Sequence, residues 1–204
     1  MKAIFIPLTL ALGFVGGSAL AASATVGQPA PAFSVADSNG TTVSLADYKG
    51  KTVVLEWVNP ECPYVRKHYD SGNMQATQKA ATGKGVVWLS VNSTHASHVD
   101  FKKPAAMVAW TQQQGAAPTA TLMDGEGKIG RTYAARTTPH MYVIDAKGSL
   151  VYAGGIDDKP SANPADVKTA KNLVNAALAD MAAGRPVAQP VTRAYGCSVK
   201  YSDG

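Results

Sequence analysis

Val54-Leu55-Glu56-Trp57-Val58-Asn59-Pro60-Glu61-Cys62-Pro63-Tyr64-Val65 carries an apolar run into a helix-forming one through a corner that holds a cysteine. From Val53 to Val58 every side chain but Glu56 is aliphatic or aromatic and four of the six are β-branched or aromatic, the pattern of a buried strand. Pro63 suits the first position of a helix, where its missing N–H costs nothing, so a helix is expected over 63–82, ended by Gly83. Cys62 then stands at the helix N-terminus, where free backbone amides and the positive end of the helix dipole favour a thiolate. Arg66, one turn on, can add support, while Glu56 and Glu61 oppose it by like charge. Glu56 itself has two readings. Burial would raise its pKa and make it a proton-transfer candidate; a solvated place at the strand end would not.

The pattern continues on both sides of this corner. Phe33, Val35, Val43 and Leu45 alternate around Asp37-Ser38-Asn39-Gly40, which reads as a hairpin. Downstream, Val86 to Val91 is a second apolar strand, and 95–115 looks helical with a kink or split at Pro104. Ala120 to Met123 is a short strand, and 125–135 a loop with a short helix. Met141 to Asp145 and Leu150 to Ala153 form a hairpin across Asp145-Ala146-Lys147-Gly148. An amphipathic helix is expected over 165–183, stopped by Gly184 and Pro186. Alternating strands and helices followed by an antiparallel hairpin predict an α/β fold: a thioredoxin-like mixed β-sheet flanked by helices on both faces, with an N-terminal hairpin extension.

Lys2, the apolar run Ile4 to Val15 and the small-residue site Ala19-Leu20-Ala21 read as a signal peptide over residues 1–21, too short for a confident membrane span. The expected location is periplasmic or secreted, an oxidising compartment, with no stable membrane insertion after cleavage. The domain is placed at 22–185 and a Pro-bearing tail, 186–204, carries Cys197. The chain has a net charge of +5, but its basic residues are scattered and no Lys/Arg run exceeds two, as at Arg66-Lys67. This leaves no nucleic-acid footprint.

Three motifs carry a family resemblance. The 54–65 stretch resembles the active-site corner of the thioredoxin superfamily. Thr137-Thr138-Pro139-His140-Met141-Tyr142-Val143-Ile144-Asp145 resembles that superfamily's cis-proline loop and following strand. Val26-Gly27-Gln28-Pro29-Ala30-Pro31-Ala32-Phe33, with Asn39-Gly40 and Ser44-Leu45, resembles the opening of redoxin domains of the AhpC/TSA type. The ending Gly196-Cys197-Ser198-Val199-Lys200-Tyr201 is similar to the tail of a peroxiredoxin-like group with this fold. The chain departs from both parent patterns. A thioredoxin dithiol would have a cysteine at Asn59, and a typical peroxiredoxin would have proline at Leu55 and a hydroxyl residue at Asn59.

The resemblance implies a thiol oxidoreductase. Cys62 would reduce a peroxide or exchange with a disulfide, and Cys197 or an external thiol donor would resolve the product. Asn59, Pro63, Thr138, Pro139 and one arginine, Arg136 or Arg131, would position the substrate. Pro139 is expected to be cis, and His140 is a possible base. No cofactor and no metal are expected: His95 and His98 lack a third ligand at suitable spacing. His68, six residues past Cys62, does not share its helical face. Trp57, Trp88 and Trp110 read as core or site-wall aromatics. Two other readings stay open. In one, Cys62 and Cys197 form a permanent staple, worth about 4–5 kcal/mol in the chain-entropy model, in a non-catalytic binding protein. In the other, Cys62 with His140 or Met141 handles copper.

Overall fold

The computed structural model describes residues 23–202. The proposed signal peptide lies outside them. Fourteen regular elements follow in chain order among the described residues: β1 Ser34–Ala36, β2 Thr42–Ser44, β3 Val53–Trp57, α1 Pro63–Asp70, α2 Asn73–Thr82, β4 Val87–Asn92, α3 Pro104–Gln113, β5 Ala120–Met123, α4 Lys128–Thr132, β6 Thr137–Thr138, β7 His140–Ile144, β8 Leu150–Gly154, α5 Leu173–Ala182 and β9 Cys197–Ser198. Single 3₁₀ turns occupy Leu45–Tyr48 and Pro164–Lys168.

The central sheet has five strands in the order β5-β4-β3-β7-β8. β3, β4 and β5 run parallel, β7 runs antiparallel to β3, and β8 antiparallel to β7. This is the mixed thioredoxin-like sheet expected from the element order. Alternate residues of β3 face opposite layers. Val54 and Val58 pack with Val65, Met74, Met107 and Val174 from α1, α2, α3 and α5. Val53, Leu55 and Trp57 pack with Val43, Ile129 and Tyr133 from the N-terminal hairpin and the α4 region. Both faces are therefore covered, and the central strands read as continuous apolar runs.

Three elements differ from the sequence reading. The helix expected over 63–82 is two helices, because Gly72 takes a left-handed φ of 75°. The Gln75 amide fills the break by donating to the Tyr69 carbonyl at 2.8 Å, an oxygen left without its helical partner. In the 95–115 segment Pro104 neither kinks nor splits a helix; it starts α3, and 93–103 is a chain of turns. The helix expected over 165–183 begins only at Leu173, where the Asn172 side chain accepts from the Asn175 N–H.

The tail is not a free appendage. Along the edge of β8 the Thr192 N–H donates to the Ala153 carbonyl and the Ala153 N–H donates to the Pro190 carbonyl, with Val191 bridged to Ala153. β9 then pairs antiparallel with β6. Further on, the Tyr201 hydroxyl donates to the Ala135 carbonyl, and the Arg131 guanidinium covers the Tyr201 ring at 4.7 Å.

Candidate active site

The site is assembled by register. β3 pairs antiparallel with β7 so that Trp57 stands opposite His140. The corner that follows β3 thus meets the loop that precedes β7. Cys62 is the N-cap residue of α1 and Pro63 its first helical residue. The Thr138–Pro139 peptide bond is cis, and the Cys62 thiol donates to the Thr138 carbonyl at 3.0 Å. β6 ends at Thr138, and its strand partner there is Cys197. Two cysteines far apart in the chain thus flank one backbone residue, and both are free thiols. Cys62 is only 2% exposed, whereas Cys197 is half-buried. Burial and the neighbouring Cys62 thiol push the Cys197 thiol up to about 12.

Gly196 makes this approach possible. Its φ is 143°, and a Cβ there would run into the Thr138 carbonyl oxygen. The upstream anchor is Tyr195, buried against Tyr64 of α1 with ring centroids 5.9 Å apart.

Asn59 sits at the corner but is committed to holding it. Its side-chain oxygen accepts from the Glu61 N–H at 2.9 Å, and its amide donates to Asp100 at 2.9 Å. Glu61 is flanked by Arg66 at 2.5 Å and Lys102 at 2.6 Å. Arg66 also donates to the Pro60 carbonyl, so its hydrogen bonds brace the corner rather than the thiol. The 93–103 turns thus lie over the corner through Asp100 and Lys102. Neither residue carries a motif, and their roles arise from contacts about forty positions apart, which local pattern does not encode.

Glu56 is buried, not solvated. It accepts from the Trp88 indole at 2.7 Å, the Tyr69 hydroxyl at 2.8 Å, the Gln78 amide at 3.0 Å and the Ser90 hydroxyl at 3.1 Å. Burial raises its pKa against those four donors. Its hydrogen bonds go to β4, α1 and α2 and none to a cysteine. His140 stacks on Tyr142 with ring centroids 4.5 Å apart, and its Nδ1 accepts from the Arg136 N–H at 3.3 Å. Burial, then the Arg136 charge, push it down to about 4. It is neutral at physiological pH and turned toward Arg136 and Tyr142. The Arg131 guanidinium is engaged by the tail, donating to the Ser202 carbonyl at 2.9 Å. The Arg136 carbonyl accepts from the Val199 N–H. Thr138 carries a buried side-chain hydroxyl with no hydrogen-bond partner. Among the described residues, no three His, Cys, Asp or Glu side chains converge as a metal site.

Residues 26–153 match the model of the AhpC/TSA family. The thiol-disulfide oxidoreductase ResA of Bacillus subtilis (strain 168) is 30% identical over 154 residues, covering 68% of this chain and 85% of that one. A ResA of Bacillus cereus is 29% identical over 116 residues, covering 51% of this chain and 66% of its own. Among solved structures, an uncharacterized conserved protein of Geobacillus kaustophilus superposes with a TM-score of 0.74 at 25% identity, covering 88% of this chain and 94% of that one. A hypothetical protein of Sinorhizobium meliloti 1021 gives a TM-score of 0.74 at 22% identity, covering 89% of this chain and 97% of that one, a likeness of fold. The match over residues 26–153, on a thioredoxin-like mixed sheet, places this chain in the AhpC/TSA family.

Proposed function

We propose that this redoxin is an exported thiol–disulfide oxidoreductase whose working pair is Cys62 and Cys197. The observation that carries the reading is the β6–β9 pairing, which sets Cys197 against Thr138 while the Cys62 thiol donates to the same residue's carbonyl. In the oxidising step the Cys62 thiolate attacks one sulfur of a disulfide, forms a mixed disulfide and expels the other sulfur as a thiolate. The Cys197 thiol then attacks the Cys62 sulfur, gives its proton to solvent and expels the second thiolate, leaving a Cys62–Cys197 disulfide. An external dithiol returns the pair to the reduced state. The raised pKa of Cys197 makes it a poor leaving sulfur once the internal disulfide has formed.

The commitment of Asn59 to Glu61 and Asp100 argues against its amide standing in for the missing peroxide-positioning hydroxyl. Peroxide reduction is kept as a second reading because Cys62 is 2% exposed, which favours a small oxidant. In that case Cys62 becomes a sulfenic acid, and Cys197 closes the disulfide with loss of water. No helix among the described residues is long and apolar enough to cross a membrane. The export proposal rests on the Lys2 to Ala21 pattern alone.

The test is turnover of glutathione disulfide and of hydrogen peroxide by wild type, Cys62→Ser and Cys197→Ser. Cys62→Ser should lose both activities. Cys197→Ser should stop as a mixed disulfide or sulfenic acid on Cys62. Full activity in Cys62→Ser would overturn the proposal.

A further inference from the structure

A buried polar cluster beside the redox pair is not used by the chemistry above. Lys67 and His68 of α1, Asp157 from the loop after β8, and Tyr195 of the tail are all buried. Lys67 Nζ donates to Asp157 at 3.0 Å, to the Lys159 carbonyl at 2.7 Å and to the Tyr195 hydroxyl at 3.2 Å. His68 Nδ1 faces the Asn73 amide at 2.8 Å, which assigns the proton to Nε2, 3.2 Å from the Tyr195 hydroxyl. That hydroxyl donates to Asp157. Tyr195 therefore accepts twice and donates once, and Lys67 spends all three of its protons.

A buried ion pair is a poor device for stability, because desolvating both charges costs about as much as their attraction returns. Its geometry is strict, and here it is strict about one atom, the tail's tyrosine hydroxyl. One residue separates Tyr195 from Cys197, and that residue is Gly196, packed against the Thr138 carbonyl. The same helix presents Cys62 at its N-cap and Lys67 and His68 in its second turn.

We propose that Lys67, His68 and Asp157 are positioning residues: they fix the Tyr195 hydroxyl and thereby set Cys197 over Cys62, so that α1 presents one thiol and clamps the strand that carries the other. The inference rests on the Cys62–Cys197 reading and concerns the second step, closure, not the first attack.

The experiment mixes reduced full-length protein with glutathione disulfide, quenches in acid and follows mass. It resolves glutathione adduct formation on Cys62 from closure to the internal disulfide. In Tyr195→Phe, which keeps the ring and removes the hydroxyl, closure should slow about tenfold or more while adduct formation is unchanged or faster. Lys67→Met should behave alike. Val174→Ala, a destabilising change in α5, should leave the ratio of the two rates unchanged. Wild-type closure rates in Tyr195→Phe would overturn the proposal even if Lys67→Met does not fold. If wild type forms no internal disulfide, the dithiol reading fails, and alkylation of Cys62 by iodoacetamide in Cys197→Ser decides the clamp. Faster labelling when Tyr195→Phe is added supports it, and an unchanged rate removes it.

Discussion

At the scale of single residues, the two thiols differ in burial and in surroundings. Cys62 follows β3 by five residues and stands at the N-cap of α1, buried, with its thiol on the Thr138 carbonyl. Cys197 lies in a short antiparallel pair, where burial and Cys62 hold it protonated. The imidazole of His140 illustrates how environment overrides residue type. A histidine next to a cis-proline invites assignment as a base, yet burial lowers its pKa to about 4 and so makes it a weak one. The consequence is measurable. Its folded pKa of about 4 lies below the ordinary value of 6.5, so the unfolded chain binds the proton first, and stability falls as pH drops through that interval. Urea unfolding of wild type and His140→Phe at pH 7 and pH 5 should show wild type losing about 1–2 kcal/mol more on acidification than the variant. An equal loss in both would mean the ring is solvated. Glu56 has the opposite sign. With its folded pKa raised, it contributes stability while protonated and loses it as pH rises through the raised value. Glu56→Gln leaves one carbonyl for four donors, and should cost about 1–3 kcal/mol near neutral pH in urea unfolding, with activity per folded molecule retained.

At the scale of elements, the decisive contact is the shortest one, the two-residue pairing of β6 with β9. Gly196 admits it. Gly196→Ala should push the tail off Thr138, cost roughly 2 kcal/mol or more, and raise the rate at which iodoacetamide labels Cys62. Stability and labelling equal to wild type would show that the tail does not depend on this approach. The strands at 53–57 and 87–92 were legible in the sequence because apolar, β-branched-rich runs flanked by Gly and Lys leave little choice; Ala120–Met123 is also found as read. Helix ends were less legible. Gly72 and Asn172 end or begin helices through a left-handed φ and a side-chain cap, signals no stronger locally than the many Gly and Asn residues that do neither. Cys62 and the Thr138–Pro139 loop could be named from motif alone. Asp100, Lys102, Lys67 and Asp157 could not, since each acts only through residues brought close by the sheet.

At the scale of the whole molecule, the tail closes the fold. Its described residues run along β8, pass the Cys62 corner and reach α4, where Tyr201 packs on Gly127 and Gly130 with no room for a Cβ on either. Pro, Gly and scattered polar residues give 186–204 no periodicity in the sequence, and its order comes from tertiary contacts. Removing residues 190–204 should therefore lower the melting temperature by several degrees or more, beyond the loss of one thiol in Cys197→Ser. A truncated chain as stable as Cys197→Ser would contradict this integration. The central claim is that Cys62 and Cys197 form a reversible couple, and its most direct measurement is a redox titration. Protein equilibrated in thiol–disulfide buffers is alkylated and weighed. A reversible couple gives a single two-electron transition between free thiols and a Cys62–Cys197 disulfide, within the range of thioredoxin-like donors. A disulfide that stays closed below about −300 mV is a staple, and thiols that never pair form no couple; either result rules out the proposed chemistry.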